Sequence, residues 1–361
     1  MALNCGIIGL AGSGKTTLFN SLSRARGQQT QLSGRTNLGQ FEVPDPRLDA
    51  IAKLVRPAKV IPTTVEIIDI PGMVKGGGHG KGGNQFLADI RQTDALIHVL
   101  RCFDDDTVPH PEGSVNPVRD KEIIDLELIF KDLETIGKKR HRLEKLAAVG
   151  DKEAKKEVEV LALLEAHFEN GQPARSFDIA PADRPIVDDC YLLTLKPVIY
   201  VCNVNEASAA GGNAFVDAVR PLIENEGSEM LTVAALAEAE IARLEDPEDR
   251  KAFLNDLGLE EPAVNKLIRA AYRALKLQTF FTEGPKEVRA WTIRAGTTAP
   301  KAAGVIHSDM ERGFIRAEVK KSSDFIRLGS EQACKQAGKF HIEGKNYIVR
   351  DGDIFHVRFN V

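Results

Sequence analysis

Gly9-Leu10-Ala11-Gly12-Ser13-Gly14-Lys15-Thr16 sets the reading of the whole chain. It fits G-x-x-x-x-G-K-[ST] without a mismatch, and its surroundings fit as well. The apolar run Cys5 to Ile8 before it reads as a short buried strand. Thr17-Leu18-Phe19-Asn20-Ser21-Leu22 continues it with helical spacing. Glycines at 9, 12 and 14 let the backbone turn tightly, so successive N–H groups can point at phosphate oxygens. The helix that follows offers its positive end to the same anion. Gly12, Ser13, Gly14, Lys15, Thr16 and Thr17 then cradle a nucleoside triphosphate. Lys15 reaches the β and γ phosphates, and the Thr16 hydroxyl is placed to ligate Mg²⁺.

The chain has 361 residues, room for two or three domains each with its own core. Its apolar (43%) and charged (28%) fractions are those of an ordinary soluble globular protein. Net charge is −4, so any nucleic-acid contact must come from a local basic patch; no DNA partner is expected. Cysteines at 5, 102, 190, 202 and 334 form no close pair and no metal-ligand spacing, which suits reduced thiols in a cytosol. The N-terminus lacks the pattern of a signal peptide, and no apolar run approaches the ~20 residues that span a bilayer. A cytoplasmic protein without a membrane partner is expected.

Apolar segments at Thr64–Ile70, Ala95–Cys102, Pro197–Asn203 and Met230–Ala235 alternate with helical or loop stretches, the pattern of a mostly parallel α/β sheet. From about Arg119 to Asn170 the chain turns long, charged and helical, with Ile123, Leu126, Ile129, Leu133 and Ile136 on one stripe. Val149-Gly150-Asp151 marks the tip of an antiparallel helical hairpin. Lys138-Lys139-Arg140-His141-Arg142, near that tip, is the best single basic patch for RNA or protein, although a charge run is more often solvated helix surface. After Leu277, segments at Glu287–Ile293, Phe314–Val319, Asn346–Val349 and Ile354–Phe359 read as strands of a small mixed module.

Asp69-Ile70-Pro71-Gly72 ends an apolar strand as a D-x-x-G element does: Asp69 can hold Mg²⁺ through a water, and the Gly72 N–H can sense a γ-phosphate. Six glycines follow within Gly76–Gly83, suited to a loop ordered by a triphosphate. Met73 stands where Ras-type GTPases carry a water-orienting glutamine, so intrinsic hydrolysis should be slow or another residue must serve. His79 and His110 are the candidates. Asn203-Val204-Asn205-Glu206 occupies the place of N-K-x-D. A longer carboxylate and a missing lysine weaken guanine readout, and a site that no longer demands guanine can admit adenine. A guanine site with relaxed chemistry is the alternative.

These elements together resemble the Obg-like ATPase (YchF) family of translation-factor-related P-loop NTPases, over nearly the whole length. Supporting segments include Val43-Pro44-Asp45-Pro46-Arg47-Leu48-Asp49, Gly83-Asn84-Gln85-Phe86-Leu87, Arg101-Cys102-Phe103 and Leu193-Thr194-Leu195-Lys196-Pro197. Leu277-Gln278-Thr279-Phe280-Phe281-Thr282 and Asp351-Gly352-Asp353 extend the match. The resemblance implies a G domain, an inserted α-helical coiled-coil hairpin and a C-terminal TGS module of β-grasp fold. It implies ATP as preferred substrate, a backbone contact to adenine at Val204, catalysis by His110 and association with the ribosome or its RNA. The family's phosphate loop usually reads Pro-Asn-Val where this chain has Ala11-Gly12-Ser13. The family's Mg²⁺-binding switch threonine maps to Ser33, with Thr36 a near alternative, and His79 replaces a usual lysine.

The expectation is an α/β P-loop NTPase with the G domain at 1–118 and 191–276, the helical insertion at 119–190 and the TGS domain at 277–361. It binds ATP through the phosphate loop, Gly72, Asn203, Val204 and Glu206, holds Mg²⁺ with Thr16, Ser33 and Asp69, and uses Lys15 and His110 for hydrolysis. It acts as a slow switch on the ribosome, and a monomer is expected. A recruitment module with little hydrolysis is the alternative; a small-molecule kinase would not need the base-reading segment or the C-terminal module.

Overall fold

The computed structural model describes residues 4–25, 31–33, 36–72 and 81–360. Along the chain run β1 (Asn4–Ile8), α1 (Lys15–Ala25), β2 (Gln31–Ser33), β3 (Thr36–Glu42), α2 (Pro46–Val55), β4 (Lys59–Ile61), β5 (Thr64–Asp69), α3 (Lys81–Arg91) and β6 (Ala95–Arg101). Next come α4 (Pro117–Ala148), α5 (Lys152–Glu169), α6 (Arg184–Asp188), β7 (Val198–Asn203), α7 (Ala214–Asn225), β8 (Glu229–Val233), α8 (Ala235–Ile241), α9 (Pro247–Asp256) and α10 (Ala263–Ala274). The C-terminal part adds β9 (Leu277–Glu283), β10 (Glu287–Arg294), α11 (Ala299–Ile306), α12 (Ser308–Arg312), β11 (Phe314–Lys321), α13 (Ser322–Leu328), α14 (Glu331–Gln336), β12 (His341–Glu343) and β13 (Asp353–Phe359). Two units result, residues 1–39 with 66–266 and residues 40–65 with 267–361.

The first unit is built on a sheet in the order β2-β3-β5-β1-β6-β7-β8. β1 lies parallel between β5 and β6, β6 is parallel to β7, and β7 to β8. Every residue of β6 and β7 is buried, which is why these strands read as near-continuous apolar runs rather than alternating ones. After β1 the chain builds β2, β3 and β5 on one side of it, then crosses to place β6, β7 and β8 on the other. The crevice beyond the carboxyl end of β1 is therefore the topological switch point, where ligands bind in open α/β sheets.

The helical insertion follows from its caps and its stripe. Asn116 accepts the Arg119 N–H at 3.1 Å and Pro117 opens α4, a 32-residue helix about 48 Å long at 1.5 Å per residue. At the tip Gly150 takes a φ of +98°, and Asp151 caps α5 by accepting the Glu153 and Ala154 N–H groups. Ile129, Ile136 and Leu143 then bury against Leu161, Leu164 and Phe168, each such side chain contributing about 1.5–3 kcal/mol. The basic tract is partly neutralised within this unit. Lys139 pairs with Asp189 at 2.8 Å and Glu157 at 3.4 Å, and Arg140 pairs with Glu165 and with Glu144. Lys138, His141 and Arg142 remain exposed.

The second unit carries a mixed sheet ordered β12-β11-β13-β9-β10-β4. β9 and β10 form an antiparallel pair with Phe281 opposite Ala290, β13 runs parallel to β9, and β4 parallel to β10. Ala299, Ala302 and Ala303 of α11 pack into a core with Phe280 and Phe355. Residues 40–65, expected inside the nucleotide domain, instead join this unit. Asp45 caps α2, Pro46 starts it and Arg56 ends it in the left-handed region (φ 52°). The apolar face this creates, Leu48 and Ile51, is covered by Phe281, Val288 and Ile354. The strand expected at Asn346–Val349 is instead a turn bearing one isolated bridge, Ile348 to Thr298. Its alternation has another origin: the Tyr347 hydroxyl donates to Asp353 at 2.8 Å while Val349 is buried. Among the described residues no helix is long and apolar enough to cross a membrane.

Candidate nucleotide-binding site

The stretch between β1 and α1 arches over the carboxyl end of β1 with Gly9, Gly12 and Gly14 all at positive φ. At Gly14 (φ +94°) the requirement for glycine is double: a Cβ would also lie 2.1 Å from the Asn203 Nδ2. Lys15, 6% exposed, donates to the Leu10 carbonyl at 2.7 Å and so lies along the floor of the loop. Burial lowers its pKa to about 8, an effect the nearby Asp69 carboxylate opposes.

β5 runs beside β1 with Asp69 opposite Ile7, and this register delivers Asp69 to the loop. Its Oδ2 accepts the Thr16 hydroxyl at 3.1 Å and faces the Asn37 amide at 3.5 Å. Burial pushes the Asp69 pKa up, against the Thr16 hydrogen bond, Lys15 and Asn37. Gly72 follows closely: a Cβ there would stand 2.7 Å from the Lys15 Nζ and 3.2 Å from the Ala11 N. Thr17 is half-buried on the first turn of α1. In the β2–β3 pair the register sets Ser33 opposite Thr36. Met73 and His79 lie outside the described residues. Lys81-Gly82-Gly83, the end of the glycine-rich run, is helical and opens α3.

Asn203, at the end of β7, is 5% exposed and uses both ends of its amide inside the protein. Nδ2 donates to the Ser13 carbonyl at 2.9 Å, and Oδ1 accepts the Ala235 N–H at 3.1 Å. It ties the phosphate loop to the start of α8. Val204 is buried, with its N–H donated to the Val233 carbonyl at 2.9 Å. Glu206 is exposed at the head of a short 3-10 turn. Phe103, Val204 to Glu206 and Leu236 thus follow the carboxyl ends of the neighbouring strands β6, β7 and β8. Leu236 is 70% exposed and immediately follows the Ala235 that Asn203 holds.

His110 sits in the loop between β6 and α4. The loop runs close to the phosphate loop: a Cβ on Gly12 would lie 3.3 Å from the Val108 side chain (Cγ1) and 3.4 Å from the Pro109 carbonyl oxygen. Arg101 shapes it. This buried guanidinium donates to the carbonyls of Phe103, Asp105 and Val108 at 2.9–3.1 Å and lies 4.8 Å from the Phe103 ring centre. Arg101, Asn37 and Phe103 support the site without standing out in the sequence as site residues. For Arg101 and Phe103 the available signal is the segment Arg101-Cys102-Phe103 at the end of a largely apolar strand; Asn37 carries none.

Residues 4–147 match the family model described as "50S ribosome-binding GTPase". Residues 277–360 match the model YchF-GTPase_C, described as "Protein of unknown function (DUF933)". The chain is 49% identical to the Haemophilus ducreyi protein named "Ribosome-binding ATPase YchF", across the full length of both. The proteins of that name from Escherichia coli O157:H7 and Bacillus subtilis are 47% and 46% identical, again over the full length of both chains. The solved structure of the Schizosaccharomyces pombe YchF GTPase superposes with a TM-score of 0.89 at 32% identity, covering 99% of this chain and 97% of that one. By sequence along its entire length and by fold, the chain belongs to the YchF family of P-loop proteins.

Proposed function

We propose that the chain is a Mg²⁺-dependent ATP hydrolase that works as a slow nucleotide switch on the ribosome. The observation that carries this reading is the convergence of Lys15, Thr16, Asp69 and Gly72 on one loop at the switch point of the sheet. Ribosome binding and ATP as substrate are supported by the names of the bacterial relatives, whereas the fission-yeast relative is named a GTPase. The base-reading segment is compatible with adenine, because the longer Glu206 carboxylate and the valine at 204 in place of a lysine weaken guanine readout, and a site that no longer demands guanine can admit adenine. The residues present also fit Mg²⁺. A hydroxyl and a carboxylate oxygen 3.1 Å apart are the hard donors this ion takes when phosphates and waters complete its shell. Bound there, Mg²⁺ would neutralise charge developing on the phosphate oxygens. Ser33, or Thr36 opposite it, is the further metal ligand in this reading.

Lys15 and the loop N–H groups stabilise negative charge on the β and γ phosphates, while the Asn203 clamp keeps those donors in place. His110 positions the attacking water. Residues 277–361 form the TGS module, and the protein acts as a monomer in the cytoplasm. His110→Ala is expected to slow single-turnover hydrolysis about 10²-fold and to leave ATP affinity unchanged. Unaltered turnover would remove His110 from the chemistry. A second reading, nucleotide-dependent recruitment with little intrinsic hydrolysis, draws on the His110 ring being engaged by Asp120 and Glu112. Co-sedimentation with ribosomes in ATP or ADP, set beside single-turnover rates, separates the two.

A further inference from the structure

Both nitrogens of the His110 ring are occupied. Nδ1 accepts the Glu112 backbone N–H at 3.1 Å, and Nε2 lies 2.9 Å from Asp120 Oδ2. Because Nδ1 is an acceptor here, the proton is assigned to Nε2 and is donated to the carboxylate. The two side chains are 5% and 4% exposed, so water does not compete for this bond. The second oxygen of Asp120 accepts from Arg119 Nε at 3.2 Å and Nη2 at 2.9 Å, and Arg119 also holds the Ser114 hydroxyl and carbonyl. One carboxylate therefore organises the segment from His110 to Ser114.

That carboxylate is itself firmly mounted. Asp120 belongs to the first turn of α4, and its own N–H donates to the carbonyl of the cap residue Asn116 at 3.0 Å. The next turn is pinned by Lys121 to Asp125 at 2.6 Å and to Glu226. Arg175 adds bonds to Asp125 at 3.1 Å and Glu226 at 3.0 Å. A ring with neither nitrogen free cannot orient a water.

We propose that Asp120 is a positioning residue that stores the His110 ring against α4, so that hydrolysis waits on the breaking of the His110–Asp120 bond. This rests on the reading of His110 as the water-positioning group. Loss of the carboxylate leaves a buried Nε2–H without a partner, which favours release of the ring.

The test pairs a signature of the ring with a rate. In nitrogen-edited NMR of the full chain, wild-type His110 should show the Nε2–H tautomer with a slowly exchanging proton, and Asp120→Ala should lose that signal. Single-turnover ATP hydrolysis should rise about three- to tenfold in Asp120→Ala, less in Asp120→Asn, and not at all when His110→Ala is also present. If the alanine variant does not fold, the isosteric asparagine carries both measurements. A fall in rate with His110 intact would overturn storage and make Asp120 part of the productive arrangement. An equal change with and without His110 would overturn it in favour of a structural role. Should His110→Ala itself leave hydrolysis unchanged, the water-positioning reading fails and the link to rate fails with it. The NMR signature then still decides whether Asp120 holds the ring.

Discussion

Lys15→Ala is expected to lower ATP turnover about 10²- to 10³-fold, because phosphoryl transfer depends almost wholly on positioning and fixed charge. The same substitution should not destabilise the nucleotide-free protein. Lys15 is buried and its pKa is lowered from 10.5 to about 8, so the folded state bears a charge that the unfolded chain carries at less cost. The sign follows from proton counts. Between pH 8 and 10.5 the unfolded chain keeps a proton on Lys15 that the folded protein has released, so stability contributed by this group rises with pH across that window. The penalty is fully present below pH 8 and amounts to about 3 kcal/mol. Urea unfolding of wild type and Lys15→Ala at pH 7 and pH 9.5 should show the two converging as pH rises. A bound triphosphate holds the ammonium charged, so ATP binding near pH 9 should take up a proton, read as a dependence of the binding heat on buffer. A heat independent of buffer at that pH would place the ammonium away from the phosphates.

Asn203→Ala should be the most damaging change to the site's architecture. It strips the Ser13 carbonyl and the Ala235 N–H of their partner in a place water does not reach. Each orphaned buried group costs about 1–3 kcal/mol, so a loss of about 2–6 kcal/mol is expected. Nucleotide affinity should fall more than tenfold as well, since the loop loses the strut that holds its N–H groups in place. Denaturant midpoints and fluorescent-nucleotide titration measure the two effects separately. Lost affinity at wild-type stability would mean that Asn203 meets the ligand directly rather than through the loop.

The parts of the fold that local sequence specifies are legible. The phosphate loop needs glycines at fixed offsets, and the inner parallel strands need near-continuous apolar runs. The hairpin tip needs Gly150 and the Asp151 cap. What stays hidden depends on partners far along the chain. The apolar face of α2 is satisfied by Phe281, Val288 and Ile354, more than two hundred residues later, so nothing near Pro46 announces which unit it joins. Lys139 and Arg140 read as a free basic patch until α5 folds back with Glu157 and Glu165. Asp120 looks like an ordinary acidic residue in a helix's first turn, a place where carboxylates are common for electrostatic reasons alone. Its bond to His110 exists only once the loop has closed. Asn203 is legible as a motif position, but its two backbone partners come from the loop after β1 and the start of α8.

The most direct measurement is a calorimetric titration of ATP and of GTP, each with Mg²⁺, into nucleotide-free protein. If Glu206 no longer reads guanine, as the proposed function holds, ATP binds at least about tenfold tighter than GTP. Tighter binding of GTP would mean that Glu206 still accepts from the guanine N1 and 2-amino groups, and would contradict the assignment of ATP as substrate.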